Sequence, residues 1–116
     1  MALVPDFYSI IGRHQECEET VFEVALNPDC KVYEGHFPGF PVAPGVCNIQ
    51  MLKECAEEVA GSPLMLTYIQ QCRMTRLITP TECPNLLIRV AITDNNLLGS
   101  ISCGEEVCLT IKGTVA

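Results

Sequence analysis

The chain has 116 residues, of which 48% are apolar, and a formal net charge of −7 from 14 acidic and 7 basic side chains. This is the length of one domain, 1–116, able to hide about two-thirds of the surface its unfolded form exposes. Basic residues scattered apart from Arg73 and Arg76 argue against a nucleic-acid partner, and no apolar run approaches the ~20 residues of a membrane-spanning helix.

The opening MALVPDFYSIIGRH lacks a basic segment followed by a long apolar stretch and a small-residue cleavage site, so the expected compartment is the cytoplasm. Eight cysteines stand at 17, 30, 47, 55, 72, 83, 103 and 108, without a C-x-x-C pair or a histidine at zinc-ligand spacing. They read as reduced, mostly buried thiols acting as small hydrophobes. Neither a metal nor a cofactor is expected.

Residues 6–12 (DFYSIIG) and 19–26 (ETVFEVAL) read as strands, the second alternating Thr20, Phe22, Val24 and Leu26 against Glu19, Val21, Glu23 and Ala25. His14, in the polar run between them, reads as an exposed turn residue. Asn27-Pro28-Asp29 is a turn. From Gly45 to Ala60 the period changes from two to about 3.6: Ile49, Leu52, Cys55, Ala56, Val59 and Ala60 share one side of a helix, and Gln50, Lys53, Glu54 and Glu57 the other. Pro44 suits the entry of this helix and Gly61 its C-terminal cap. Further strands are expected over 64–78, 86–93, 97–103 and 107–115, the last three joined by short turns at Asp94-Asn95-Asn96 and Gly104-Glu105-Glu106. One helix and about six strands make an α+β domain, a curved antiparallel sheet packed around the helix.

The stretch GHFPGFPVAPGVCNIQ, residues 35–50, leads into the helix and holds the best candidate for chemistry. An imidazole titrates near neutral pH, so His36 is able to take or give a proton. Gly39 and Gly45 let another group come close, and Pro38, Pro41 and Pro44 stiffen the backbone. The amides of Gly45 and Val46, in the first turn, lack intrahelical partners and point outward with the positive end of the dipole, where they suit a thioester carbonyl as charge develops on it. On residue types alone, His36 reads equally as a turn residue of an irregular connection.

HFPGFPVAPG before a helix resembles the signature of the β-hydroxyacyl-acyl-carrier-protein dehydratases of the hotdog superfamily, close to H-F-P-G-x-P-V/I-x-P-G. His36, Phe37, Pro38, Gly39, Pro41, Val42, Pro44 and Gly45 match every defined position. CRMTRLITP, residues 72–80, is similar to the basic strand after the family's central helix. The resemblance implies a hotdog fold, with the sheet wrapped around one long central helix. It implies His36 as the base in eliminating water from a 3-hydroxyacyl thioester, the Gly45 amide on the thioester carbonyl, and a homodimer whose sites span the interface. Phe37, Pro38, Gly39 and Pro44 would shape the loop. Arg73 and Arg76 become candidates for an acyl carrier protein or its phosphopantetheine phosphate, or else ordinary solvent-facing strand residues.

One position departs from the family pattern. The family's acidic residue, fourteen places after the histidine, is here Gln50, an amide that hydrogen-bonds without titrating. Glu54 stands four residues later, where relatives carry glutamine, and so lies about 6 Å from Gln50 on the same helix face. Three outcomes are open. Glu54 acts as the acid, directly or through Gln50; His36 makes both proton transfers while Gln50 orients the hydroxyl; or catalysis is lost and the chain is a silent acyl-binding partner of an active homologue. Glu54 also reads as one more carboxylate on a solvated face. A hotdog thioesterase is a further alternative, against which the full dehydratase-type loop speaks.

Overall fold

The computed structural model describes residues 6–31, 43 and 45–116. β1 (Tyr8–Glu16) and β2 (Glu19–Leu26) form a hairpin turned at Cys17, which adopts a φ of 53°. The helix α1 (Gly45–Ala60) follows, then β3 (Leu66–Met74), β4 (Asn85–Thr93), β5 (Asn96–Cys103) and β6 (Glu106–Val115). All neighbours are antiparallel, in the order β1-β2-β4-β5-β6-β3. Because β4 pairs back onto β2, β3 is displaced to the edge opposite β1. This is the expected α+β architecture, and α1 is the one helix of this length among the described residues.

α1 lies across β4 and β5. Its buried positions are Cys47, Asn48, Met51, Leu52, Cys55 and Ala56, so the inward stripe is centred nearer Met51 than the sequence pattern suggests. Ile49 and Val59 are only half-buried and Ala60 is exposed. What sets this rotation is Gly99 on β5: a Cβ there would come within 2.6 Å of Leu52 Cδ2, so the bare backbone is the seat for Leu52. The helix ends at Gly61, which takes a φ of 73° and donates its N–H to the Glu57 carbonyl at 2.8 Å; only glycine enters that left-handed region without cost. Glu57 also accepts the Leu64 N–H at 2.8 Å, leading the chain towards β3.

Three expectations are corrected. β1 does not stop at Gly12 but runs to Glu16, so His14 is a strand residue opposite Val21; the hairpin ladder, reinforced by Thr20 Oγ1 donating to Gln15 Oε1 at 2.9 Å, overrides the polar composition. The strand expected over 64–78 spans Leu66–Met74. Beyond it Thr75 turns onto the end of β6, donating its N–H to the Cys108 carbonyl at 2.8 Å and its hydroxyl to Val107 at 2.7 Å. The thiols are not all reduced: Cys83 and Cys103 form a disulfide across a Cα–Cα distance of 6.1 Å. Cys83 precedes β4 and Cys103 ends β5, so the hairpin register brings together residues 20 apart.

β3 is held to β6 with two register shifts, between Leu66 and Tyr68 and between Ile69 and Gln71. At the first, the Tyr68 carbonyl oxygen occupies the space a side chain on Gly113 would need. Gly113→Ala therefore pushes on backbone rather than on a mobile side-chain tip. The expected cost is about 1–3 kcal/mol, or several degrees in Tm, with loss of amide-exchange protection concentrated in β3; unchanged melting would contradict the packing.

Candidate active site

The approach to α1 is tied down by Ala43, whose N–H donates to the Ile78 carbonyl at 2.8 Å. Beside it, Gly45, Asn48, Met74, Arg76 and Ile78 help to line a pocket of about 210 Å³ at the helix tip. Met74 closes in because Gly45 has no side chain: a Cβ would meet Met74 Cε at 2.8 Å. The first-turn amides expected to serve an oxyanion therefore belong to an element that borders a cavity. Val46, beside Gly45, has an exposed side chain. Asn48, which also lines this pocket, is 5% exposed, and its Oδ1 is buried with no hydrogen-bond partner among the described residues.

Gln50 and Glu54 are brought together as their spacing predicts. Gln50 Nε2 donates to Glu54 Oε2 at 3.0 Å. The other carboxylate oxygen, Oε1, accepts the Tyr8 hydroxyl at 3.0 Å from β1, 46 residues away. Glu54 is thus half-buried and held from two sides, which overturns the reading of a freely solvated carboxylate. Burial first, then the neighbouring Cys55 and Glu54, push the Tyr8 phenol well above its ordinary range. Burial, with Glu54 adding to it, raises the adjacent Cys55 thiol from about 9 to about 12.

Asn48 and Gln50 stand two residues apart, which on a helix turning roughly 100° per residue places them on nearly opposite sides. One chain therefore presents its helix-tip pocket in one direction and its Gln50–Glu54 pair in another. His36, Phe37, Pro38, Gly39 and Pro44 lie outside the described residues. Arg76 is engaged by Glu106 at 3.4 Å and Glu82 at 4.0 Å. Arg73, on exposed β3, donates from Nε (2.9 Å) and Nη2 (3.2 Å) to the Gln71 amide oxygen, with that amide oriented to face the guanidinium. Among the described residues no group of histidines, cysteines and carboxylates is arranged to hold a metal, and no helix is long and apolar enough to cross a membrane.

Two residues of the site escape sequence reasoning. Asn48 is the one amide on the buried stripe, a signal available as a polar interruption among apolar neighbours. Tyr8 gives no such signal, because an aromatic residue opening a strand is ordinary core.

The raised Cys55 pKa has a sign that can be followed in stability. Between about pH 9, where the thiol ionises in the unfolded chain, and about pH 12, where it does so in the folded one, the unfolded state binds fewer protons. The stabilisation is complete below pH 9 and is lost as pH rises through that window. Urea unfolding from pH 8 to 11 should show a falling midpoint, with a shallower slope in Cys55→Ala; equal slopes would remove Cys55 as a cause.

Comparison with known proteins places these features. The ApeI-like family, described as ApeI dehydratase, matches residues 12–111. The 3-hydroxyacyl-acyl-carrier-protein dehydratase FabZ of Levilactobacillus brevis is 27% identical, over 92% of this chain and 80% of its own length. FabZ of Oceanobacillus iheyensis is 30% identical, over 88% and 74%. Among solved structures, a chain of the dehydratase heterocomplex ApeI:P from Xenorhabdus doucetiae superposes with a TM-score of 0.79 at 19% identity, covering 93% of this chain and 96% of that one. The dehydratase domain from the CurJ module of curacin polyketide synthase gives 0.67 at 16% identity, over 92% and 41%. The fold is the hotdog fold.

Proposed function

The chain belongs to the ApeI-like dehydratase family, and on that premise we propose that it eliminates water from 3-hydroxyacyl thioesters on an acyl carrier protein, giving trans-2-enoyl thioesters. The observation that carries this reading past the missing acid is the Gln50–Glu54 hydrogen bond. A carboxylate accepts but does not donate, so the contact dictates that Gln50 turns Nε2 to Glu54 and its carbonyl oxygen away. That oxygen is an acceptor for the substrate 3-hydroxyl.

His36 then carries both proton transfers. Its neutral imidazole takes the α-proton, and the electron pair moves toward the thioester carbonyl, where the Gly45 and Val46 amides stabilise the developing oxyanion. As the C2–C3 double bond forms, the C3–O bond breaks. The departing hydroxide takes the proton from the imidazolium and leaves as water, returning His36 to its neutral form. Asn48 Oδ1 accepts from a donor on the arm that carries the thioester. Arg73 and Arg76 meet the carrier protein or the phosphopantetheine phosphate, and the reaction serves fatty acid synthesis or a related lipid or polyene route in the cytoplasm.

The site is completed by a second copy. Helix tip and Gln50–Glu54 pair face apart in one chain, and two-fold pairing allows one protomer's His36 and Gly45 to meet its partner's Gln50. β3 suits that role: among the described residues it is an edge strand, and it exposes Tyr68, Ile69 and Met74, with Met65 and Leu77 near its ends. Ile69→Lys should turn the dimer into a monomer in sedimentation velocity and abolish turnover; an active monomer would disprove a shared site.

A second reading has its own support. Gln50 stands where the family acid belongs, and the Xenorhabdus doucetiae chain with the similar fold belongs to a heterocomplex; this protein would then be the silent partner of an active homologue. Incubation with a 3-hydroxyacyl thioester, following enoyl absorbance and free thiol together, separates the cases. Enoyl without thiol is expected, falling at least ~100-fold in His36→Ala and about tenfold in Glu54→Ala. Glu54→Gln, which keeps hydrogen-bonding atoms in place, should cost less than Glu54→Ala. Thiol release would mean a thioesterase, and neither product the silent role.

A further inference from the structure

The segment 75–84 joins β3 to β4 outside the sheet. Its first part walls the helix-tip pocket through Arg76, Leu77 and Ile78, and the Ile78 carbonyl accepts the Ala43 N–H that ties down the approach to α1. Its last part is fastened by the Cys83–Cys103 disulfide, which pins the foot of β4 to the end of β5. Between the two, Cys83 donates its N–H to the Thr79 carbonyl at 2.8 Å. Thr79 directly follows the residue that holds Ala43, so a single backbone bond connects the disulfide with the pocket wall.

Thr79 marks the segment as a strap held shut. It is 4% exposed, and its hydroxyl is buried with no hydrogen-bond partner among the described residues. A buried hydroxyl without a partner opposes the closed position, since opening returns it to water. A segment burdened in this way opens locally when a tether is lost.

We propose that Cys83–Cys103 is a regulatory disulfide: a dithiol reductant opens it, and its opening frees the strap 75–84 and with it the wall of the helix-tip pocket. Cys103 is half-buried and Cys83 is 5% exposed, so Cys103 is the sulfur a reductant reaches first. The reductant's thiolate attacks Cys103 Sγ, the S–S bond breaks, and Cys83 leaves as a thiolate that takes up a proton. The reductant's second thiol then displaces Cys103 from the mixed disulfide; two electrons and two protons have passed to the protein, and the reductant ends as a disulfide. Cys108 lines the same pocket, but burial pushes its thiol up and keeps it protonated, which makes it a poor competitor for this bond. In the cytoplasm proposed for this chain, lasting disulfides are rare and those that form are catalytic or redox-sensing.

The activity readout rests on the dehydratase reading, and the structural readout does not. In dithiol buffers of graded potential, alkylation and mass spectrometry should show the wild-type disulfide opening in one two-electron step. Over the same curve, kcat/KM for a 3-hydroxyacyl carrier-protein substrate should fall about fivefold, because the pocket wall no longer holds its place. Removing the reductant should restore both. The double variant Cys83→Ala/Cys103→Ala should stay at the reduced level with or without reductant. On reduction, amide-exchange protection at Ala43 and over 75–83 should fall at least ~tenfold more than in β2 and β4.

Activity that ignores redox state, or a reductant effect that persists in the double variant, overturns the proposal and leaves the dehydratase standing. Cys83 and Cys103 that still alkylate after full oxidation overturn it outright. If wild type makes no enoyl product in either state, the dehydratase reading fails and exchange alone judges the disulfide. Protection lost evenly across the sheet then makes it a general staple and refutes the strap. Should the double variant not fold, wild type cycled between the oxidised and reduced states carries both readouts.

Discussion

Leu52 resting on the bare backbone of Gly99 is the contact on which the geometry of this protein turns. A helix on a sheet is free to roll about its axis until a close packing interaction stops it, and a roll of one residue swings every side chain by roughly 100°. With Leu52 seated, Met51, Cys55 and Ala56 go into the core, the N-terminal turn is delivered beside Met74 and Asn48, and Gln50 and Glu54 come to rest where Tyr8 reaches them. The turn of the helix itself, about 100° per residue, sets the helix tip and the Gln50–Glu54 pair on different sides of α1.

Along the outer side of α1 hydrogen bonds and an ion pair stand close together. Lys53 on the same helix goes to Glu57 at 3.6 Å, a contact of two half-buried groups worth little by itself. Glu57 in turn holds the backbone where the helix hands over to β3. Glu54 accepts from the Tyr8 hydroxyl and the Gln50 amide. Gln50 and Glu54 therefore form one feature of the structure: an amide that cannot titrate, hydrogen-bonded to a half-buried carboxylate.

The loop motif, the helix with its glycine cap, the alternation in β2 and the two hairpin turns were all legible along the chain. Each depends on residues within a few places of one another: Gly61 and Glu57, Asp94 and Asn96, Gln50 and Glu54. Where local pattern competes with tertiary pairing, it misleads. Polar composition makes Arg13 to Gln15 look like a turn, yet cross-strand bonding extends β1 through them. The apolar wheel of α1 includes Ala60 and omits Met51 because periodicity gives the width of a stripe more reliably than its centre.

Sequence alone determined the class of fold, the family and the closeness of Gln50 to Glu54, because spacing and residue type carry those without reference to distant parts of the chain. Only the tertiary structure decided which distant residues meet. Tyr8 and Glu54 are 46 residues apart, Cys83 and Cys103 are 20 apart, and β3 reaches the sheet edge because β4 returns to β2. Each follows from strand order and register, which arise from packing the whole core at once and leave no mark on any short segment.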